Sequence, residues 1–134
     1  MKTSSSEAFT FLLVHGAWHG GWCWRRVVPL LQQAGHTVLT PSLTGLGERA
    51  HLSRPDIDLD THINDIVMLI DMEELEDIVL VGHSYAGMVV TGVADRVTTK
   101  IRRLVYLDAF LPENGKAQMD YMLPQRAAPV KKEG

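Results

Sequence analysis

The stretch Ile78-Val79-Leu80-Val81-Gly82-His83-Ser84-Tyr85-Ala86-Gly87 decides the fold of this chain. Its first four residues form a short, continuous apolar run, which predicts a β-strand that is buried on both faces. Valines at every fourth position from 89 to 97 then predict a helix that begins near Ala86. The residues from Gly82 to Gly87 therefore form a tight turn that leads directly from a buried strand into a helix.

Ser84 lies in the middle of this turn, in a Gly-x-Ser-x-small pattern that is typical of a nucleophile elbow. Such a turn lifts the serine hydroxyl above the sheet, and bulky side chains two residues before or after the serine would collide. Gly82 and Ala86 meet this requirement, and Gly87 leaves room for the helix to pack against the strand. A serine that only caps a helix is the common alternative. The buried strand that precedes the turn favours the nucleophile.

A second glycine-rich turn, His15-Gly16-Ala17-Trp18-His19-Gly20-Gly21, follows the apolar run at 9–14. A serine that attacks an acyl carbon needs two N–H donors aimed at the oxyanion of the tetrahedral intermediate. The residue after the nucleophile, Tyr85, supplies one, and a loop after an earlier strand supplies the other, which favours Ala17. A phosphate-binding turn of a dinucleotide fold is the alternative, but these glycines do not follow the G-x-G-x-x-G spacing.

Strands and helices alternate along the chain, which predicts an α/β fold with a doubly wound, mostly parallel sheet of four strands. Ligands of such sheets bind at the carboxyl ends of the strands, where both glycine-rich turns lie. The predicted strands are 9–14, 37–40, 78–81 and 101–110, and the predicted helices are 86–98 and two apolar stripes, Val27/Leu30/Leu31/Ala34 and Ile63/Ile66/Val67/Ile70.

The aromatic and titratable residues near these turns have less specific interpretations. His83 is expected to be a packed core residue that points away from the serine hydroxyl. His15 and His19 are expected to make structural hydrogen bonds. Trp18 and His19 are also candidate substrate contacts. Packing at the start of the first helix is expected for all three tryptophans, Trp18, Trp22 and Trp24.

The composition excludes several classes of partner. A net charge of −3 over 134 residues gives no basic surface for nucleic acid and no polybasic membrane anchor. The apolar run near the N-terminus is too short to span a bilayer. The single cysteine, Cys23, excludes an internal disulfide and leaves no Cys/His cluster with zinc spacing. We therefore expect a cytoplasmic protein that needs neither a metal nor a cofactor.

The two turns together resemble the α/β-hydrolase superfamily, in the subfamily of plant methylesterases, salicylate-binding esterases and hydroxynitrile lyases. A third segment, Leu43-Thr44-Gly45-Leu46-Gly47-Glu48-Arg49, is similar to bacterial carboxylesterases. The resemblance implies that Ser84 is the nucleophile and that Ala17 and Tyr85 supply the oxyanion N–H groups. It also implies the sheet order second, first, third, fourth strand. The lyases carry threonine where Gly16 stands, which favours an esterase.

The resemblance further implies that the chain is the N-terminal half of the family fold. We expect a flexible tail at 1–8, the hydrolase core at 9–112, and the start of a cap region or a tail at 113–134. In the family, the acid and the histidine of the triad follow the cap, in the order Ser, Asp, His. Strand 101–110 is then an unprotected edge, which we expect to pair with a second copy or with another chain.

The expected function is a serine carboxylic-ester hydrolase fragment, with a small-molecule ester as its substrate. Alone, it is expected to be inactive or very weak. The first alternative is a non-catalytic half-fold or a binding subunit that is completed by another chain. A hydroxynitrile lyase is the weaker alternative.

Overall fold

The computed structural model describes residues 8–109 of the chain. Its four strands form one parallel sheet in the order β2-β1-β3-β4, which confirms the predicted fold class and strand order. Strand β3 pairs with β1 on one side and with β4 on the other, so the turn that follows β3 lies away from the sheet edges. The strands are β1 (Thr10–Val14), β2 (Thr37–Leu39), β3 (Ile78–His83) and β4 (Ile101–Leu107), and the α-helices are α1 (Val28–Gln33), α2 (Leu59–Met72) and α3 (Ala86–Arg96).

The central strands are apolar except for Thr10 at the start of β1 and His83 at the end of β3, because helices cover both faces of the sheet. Leu12 and Leu80 point to one face, where they pack with α2 and α3 in the main core. Leu13 and Val81 point to the other face, where a smaller core includes Trp24 and residues of α1. Successive side chains of a strand alternate between faces, so a strand buried on both sides shows no polar alternation.

Helix α1 differs from its predicted stripe. Val28 and Leu31 face the smaller core, whereas Val27 and Leu30, which the stripe placed inside, are exposed. A short 3-10 helix, Gly21–Trp24, precedes α1 and buries Trp24. We attribute the orientation of α1 about its own axis to the burial of Trp24 directly before it. The helix ends just before Gly35, whose φ of +95° cannot continue an α-helix.

Helix α2 follows its predicted stripe, with Ile63, Ile66 and Ile70 buried in the main core. It begins with a capping box in which Thr61 N–H donates to the Asp58 carboxylate and Asp58 N–H donates to the Thr61 hydroxyl. The loop before it contains a 3-10 helix at Gly47–Leu52.

Three predicted boundaries are wrong, those at the ends of β3, α3 and β4. Strand β3 runs two residues further than predicted, to His83, and α3 ends at Arg96. Strand β4 ends at Leu107 rather than at 110, because Asp108 adopts a φ of +48° that turns the chain out of the strand. The predicted cap or tail at 113–134, and nearly all of the tail at 1–8, lie outside the described residues.

No other strand pairs with the outer edge of β4 within residues 8–109. No helix in that same range is long and apolar enough to cross a membrane.

Candidate active site

Ser84 occupies the junction between β3 and α3 with a left-handed backbone, at a φ of +57°. A residue with a Cβ adopts this conformation only when the surroundings enforce it, at a cost of about 1–3 kcal/mol. Gly87 N–H donates to the Ser84 carbonyl at 2.9 Å, so the first helical turn begins at once. A left-handed backbone at the serine is typical of a nucleophile elbow. The role of Ser84 as a nucleophile stays a prediction.

The elbow is closed by small residues, as its geometry requires. A Cβ built on Gly82 would lie 2.6 Å from the Ala86 carbonyl oxygen and 2.7 Å from Val90 Cγ2. Ala86 itself is fully buried. Only glycine fits at position 82, because backbone of the following helix occupies the space that a side chain would need.

The turn after β1 lies directly against the elbow. A Cβ built on Gly16 would lie 3.2 Å from Ser84 Cβ and 3.4 Å from the His83 carbonyl oxygen. The Gly16 carbonyl accepts from His19 N–H at 3.2 Å. In a trans peptide the N–H points opposite to the carbonyl, so the Ala17 N–H points away from the inside of this turn. The structure therefore brings the two predicted motifs together.

Neither Ala17 N–H nor Tyr85 N–H donates a hydrogen bond to another group within residues 8–109. Tyr85 N–H directly follows Ser84 in the elbow, and Ala17 N–H follows Gly16, which lies against Ser84. Unpaired N–H groups beside a serine are what an oxyanion hole needs. Within the same residues, no side chain hydrogen-bonds to the Ser84 hydroxyl.

His15 is fully buried and braces the turn, as predicted for a structural role. Leu43 N–H donates to its Nε2 at 3.0 Å, so Nδ1 carries the proton and donates to the Gly16 carbonyl at 2.6 Å. Burial lowers the pKa of His15, because the charged imidazolium loses its hydration. The ring is thus held neutral, in a single tautomer.

Tyr85 is tied to residues that the sequence interpretation did not single out. Its hydroxyl lies 2.8 Å from His62 Nδ1, and His62 Nε2 lies 2.9 Å from the Thr44 carbonyl oxygen. Asp65 accepts from both Thr44 N–H and the Thr44 hydroxyl, at 2.7 and 2.8 Å. Burial is the main cause that raises the pKa of the Tyr85 hydroxyl. The only sequence signal was a polar pair at positions 62 and 65, beside the apolar stripe of α2.

A cavity of about 220 Å³ adjoins the elbow and is lined by His19, Cys23, Trp24, His83 and Leu107. The rings of His19 and Trp24 lie 6.0 and 6.4 Å from that of His83, measured between centroids. Burial lowers the pKa of His83, and His19 lowers it further, while the Asp108 carboxylate opposes both. His83 is only half-buried, so it lines the cavity and is less enclosed than the predicted core residue.

The tryptophans do not all pack as predicted. Trp24 is buried, but Trp18 is 78% exposed and Trp22 is 47% exposed. Trp18 directly follows Ala17, and the turn carries its side chain outward instead of onto α1. His19 Nδ1 and Trp24 Nε1 are buried without a hydrogen-bond partner among the described residues, so the expected structural bond of the His19 ring is not present there.

No group of three or more His, Cys, Asp or Glu side chains within residues 8–109 could hold a metal ion. The arrangement around Ser84 offers a partly exposed serine in a tight turn, beside two N–H groups that have no partner among residues 8–109. Such a set suits acyl chemistry on a polarised carbonyl.

Residues 11–132 match the model of the alpha/beta hydrolase family. The chain is 60% identical over 119 residues to the carbendazim hydrolyzing esterase of Nocardioides sp. (strain SG-4G), covering 89% of this chain and 49% of that protein. It is 37% identical over 105 residues to methylesterase 2 of Arabidopsis thaliana, covering 77% and 40%. An extracellular alpha/beta-hydrolase from a Paenibacillus species superimposes with a TM-score of 0.76 at 29% identity, covering 89% and 52%. The chain spans about half the length of the relatives it matches.

Proposed function

Because the chain belongs to the alpha/beta hydrolase family and is esterase-like, we propose that it carries the nucleophile and the oxyanion hole of a serine carboxylic-ester hydrolase. The observation that carries the proposal is the left-handed backbone of Ser84, at a φ of +57° between a buried strand and a helix. A serine that merely capped the helix would have no need for this conformation.

In the proposed reaction the Ser84 oxygen attacks the ester carbonyl, and the carbonyl electrons move onto its oxygen. The Ala17 and Tyr85 N–H groups stabilise that oxyanion, and loss of one such donor costs about 10²–10³ in kcat in a comparable enzyme. The intermediate collapses, the alcohol leaves with a proton, and water then hydrolyses the acyl-serine. A histidine oriented by an acid takes the serine proton and returns it to the alcohol.

We assign that histidine and acid to a part of the fold beyond residues 8–109. Within the described residues His15 and His62 are engaged in structural hydrogen bonds. No side chain in that range hydrogen-bonds to the Ser84 hydroxyl. The relatives are about twice as long as the matched region, which leaves room for both groups.

We further propose that the outer edge of β4 receives a strand, from a second copy or from a chain that carries the remaining half. Leu104 and Val105 continue an apolar strand along this edge, and Leu107 is 47% exposed. An apolar edge of this kind is a template for strand pairing. If no such partner exists, the chain is a non-catalytic half-fold, which is the second candidate. A hydroxynitrile lyase is disfavoured by the glycine at position 16.

The test compares two proteins. One is the 134-residue chain, and the other, called here the fused hydrolase, joins this chain to the remaining half of the Nocardioides esterase at the end of the aligned region. The fused hydrolase should turn over p-nitrophenyl acetate, and carbendazim is the next substrate to try. Ser84→Ala should abolish that turnover.

The chain alone should be slower by orders of magnitude, since loss of the histidine costs on the order of 10⁶ in kcat in subtilisin. Turnover by the chain alone at the rate of the fused hydrolase would show that a base lies within it. Turnover by the fused hydrolase that survives Ser84→Ala would refute the proposal.

A further inference from the structure

The segment Ser42–Thr44, called here the bridge segment, contacts the turn after β1 at two points. Leu43 N–H donates to His15 Nε2 at 3.0 Å, and the same ring donates to the Gly16 carbonyl. Gly21 N–H donates to the Ser42 hydroxyl at 2.8 Å. Both ends of the turn that contains Ala17 are thus attached to the bridge segment.

The other end of the bridge segment contacts the elbow through α2. The Thr44 carbonyl can only accept, so His62 Nε2 carries the proton and donates to it at 2.9 Å. His62 Nδ1 therefore accepts, and the Tyr85 hydroxyl donates to it at 2.8 Å. Asp65 fixes Thr44 further by accepting two hydrogen bonds from it.

The path of hydrogen bonds that leads from His15 through the bridge segment to Tyr85 is mostly buried, whereas Thr44 and Asp65 are partly exposed. Leu43 and His15 are fully buried, and Ser42, His62 and Tyr85 are each at most 7% exposed. Each hydrogen bond has one consistent direction. A flip of the His15 or His62 ring would therefore leave a buried polar atom without a partner, which costs about 1–3 kcal/mol. A path with one stable arrangement holds its two ends at a fixed separation.

We propose that the bridge segment, with His62 and Tyr85 OH, sets the position of the two oxyanion N–H donors relative to each other. This inference rests on the proposed function, since it assigns a purpose to the spacing between Ala17 N–H and Tyr85 N–H. His62 and Thr44 are then positioning residues that act through Tyr85. Oxyanion donors must lie about 2.7–3.1 Å from the developing charge, so a displacement of a few tenths of an ångström lowers the rate.

The alternative is that the path only stabilises the fold. A purely structural path would lower the unfolding free energy when broken, while the folded fraction would keep its kcat. A positioning path lowers kcat of the folded enzyme and leaves KM nearly unchanged, because the oxyanion exists only in the transition state. The split between kcat and KM therefore separates the two.

The experiment uses the fused hydrolase with three single test variants, one control variant and one double variant. Tyr85→Phe removes one oxygen atom, and His62→Leu removes both ring nitrogens. Each should lower kcat about 10-fold, less than the roughly 10²–10³ expected for loss of a whole donor, with KM changed less than about 2-fold. His62→Gln should restore most of kcat, because its amide offers one acceptor and one donor. His51→Gln, on an exposed residue of the preceding loop, is the matched control and should be unchanged.

The double variant Tyr85→Phe/His62→Leu decides whether the two groups act as one path. A shared path predicts that the double variant loses no more kcat than the worse single variant, whereas independent groups multiply their losses. Multiplied losses, or a kcat that is unchanged in all variants, would overturn the inference. If His62→Leu does not fold, Tyr85→Phe alone decides, since it leaves the packing nearly intact.

The inference and the proposed function fail in distinguishable ways. Turnover that survives Ser84→Ala overturns both. Turnover that depends on Ser84 but is indifferent to Tyr85→Phe and His62→Leu overturns the bridge alone. If the fused hydrolase does not fold, the amide chemical shift of Ala17 in the 134-residue chain serves instead. Tyr85→Phe should move it through the bridge segment, and an unmoved shift would overturn the inference.

Discussion

Replacement of Gly82 by alanine tests the packing on which the elbow depends. The new Cβ would lie 2.6 Å from the Ala86 carbonyl oxygen and 2.9 Å from the Ala86 carbonyl carbon, both of which are backbone atoms. Ordinary contact begins near 3.4 Å, so the first turn of α3 must move by about 0.8 Å or β3 must bend. The strand is held by β1 and β4 on either side, which makes a bend of β3 costly.

Forced overpacking of this kind costs about 1–3 kcal/mol. Alanine also has less conformational freedom than glycine in the unfolded chain, which stabilises the folded state by roughly 0.4–1 kcal/mol. Because the obstructing atoms belong to the backbone, we expect the cost near the upper end, so that Gly82→Ala loses about 2 kcal/mol. In the fused hydrolase, the same shift of α3 should displace Ser84 and lower kcat.

Gly92→Ala is the matched control. Its Cβ would lie 2.3 Å from Cδ1 and 2.9 Å from Cγ1 of the buried Ile63, so a side chain and not the backbone must shift, and a χ angle pushed off its rotamer costs about 0.5–1.5 kcal/mol. Position 92 is within α3, where alanine gains about 1 kcal/mol over glycine. Urea unfolding followed by circular dichroism should therefore give a clear loss for Gly82→Ala and a change within about 1 kcal/mol for Gly92→Ala. Equal stabilities for Gly82→Ala and the parent chain would refute the packing argument.

Three further predictions concern pH and association. Burial lowers the pKa of His15, so its contribution to stability is complete above about pH 6.5 and is lost as the pH falls through the lower folded-state pKa. His15→Gln should reduce the slope of unfolding free energy against pH in that range, and an unchanged slope would count against the buried neutral ring. Hydrogen bonds from Thr61 lower the pKa of Asp58, so the cap is complete above about pH 3.9 and weakens as the pH falls further. Asp58→Asn should flatten the acid limb of the unfolding profile, and parallel profiles would contradict this. Outward-facing amides of residues 104–107 should exchange slowly in an associated species, and a stable monomer in which they exchange fast would show that the β4 edge is tolerated.

The sheet and the elbow could be predicted because their signals are local. A continuous apolar run indicates a strand that is covered on both faces. The small residues at 82 and 86 indicate a turn that is too tight for larger side chains. Both signals lie within ten consecutive residues. Strand order followed from the family resemblance, since no local pattern says which strands are neighbours.

The rotation of α1 and the exposure of Trp18 could not be read from periodicity. The apolar positions 27, 28, 30 and 31 permit two overlapping stripes, and the burial of Trp24 just before the helix selects Val28 and Leu31. Trp18 looks like a core residue by type, but its place in the turn sends it outward. Tertiary packing decided in both cases.

The hydrogen bonds from His62 to Tyr85 and Thr44 were missed because these partners lie 23 and 18 residues from it along the chain. Pairing of this kind depends on where α2 lies against the elbow, which only the assembled fold determines. The one sequence signal was that His62 and Asp65 share a helical face beside Ile66, a placement in which polar groups need a partner.

Covalent labelling shows whether Ser84 is the nucleophile. The fused hydrolase is treated with a fluorophosphonate, which adds to an activated serine, and the product is measured by intact mass and peptide mapping. We expect one adduct, located on Ser84, and no adduct in the Ser84→Ala variant. An adduct on another residue, or equal labelling of the Ser84→Ala variant, would contradict this expectation.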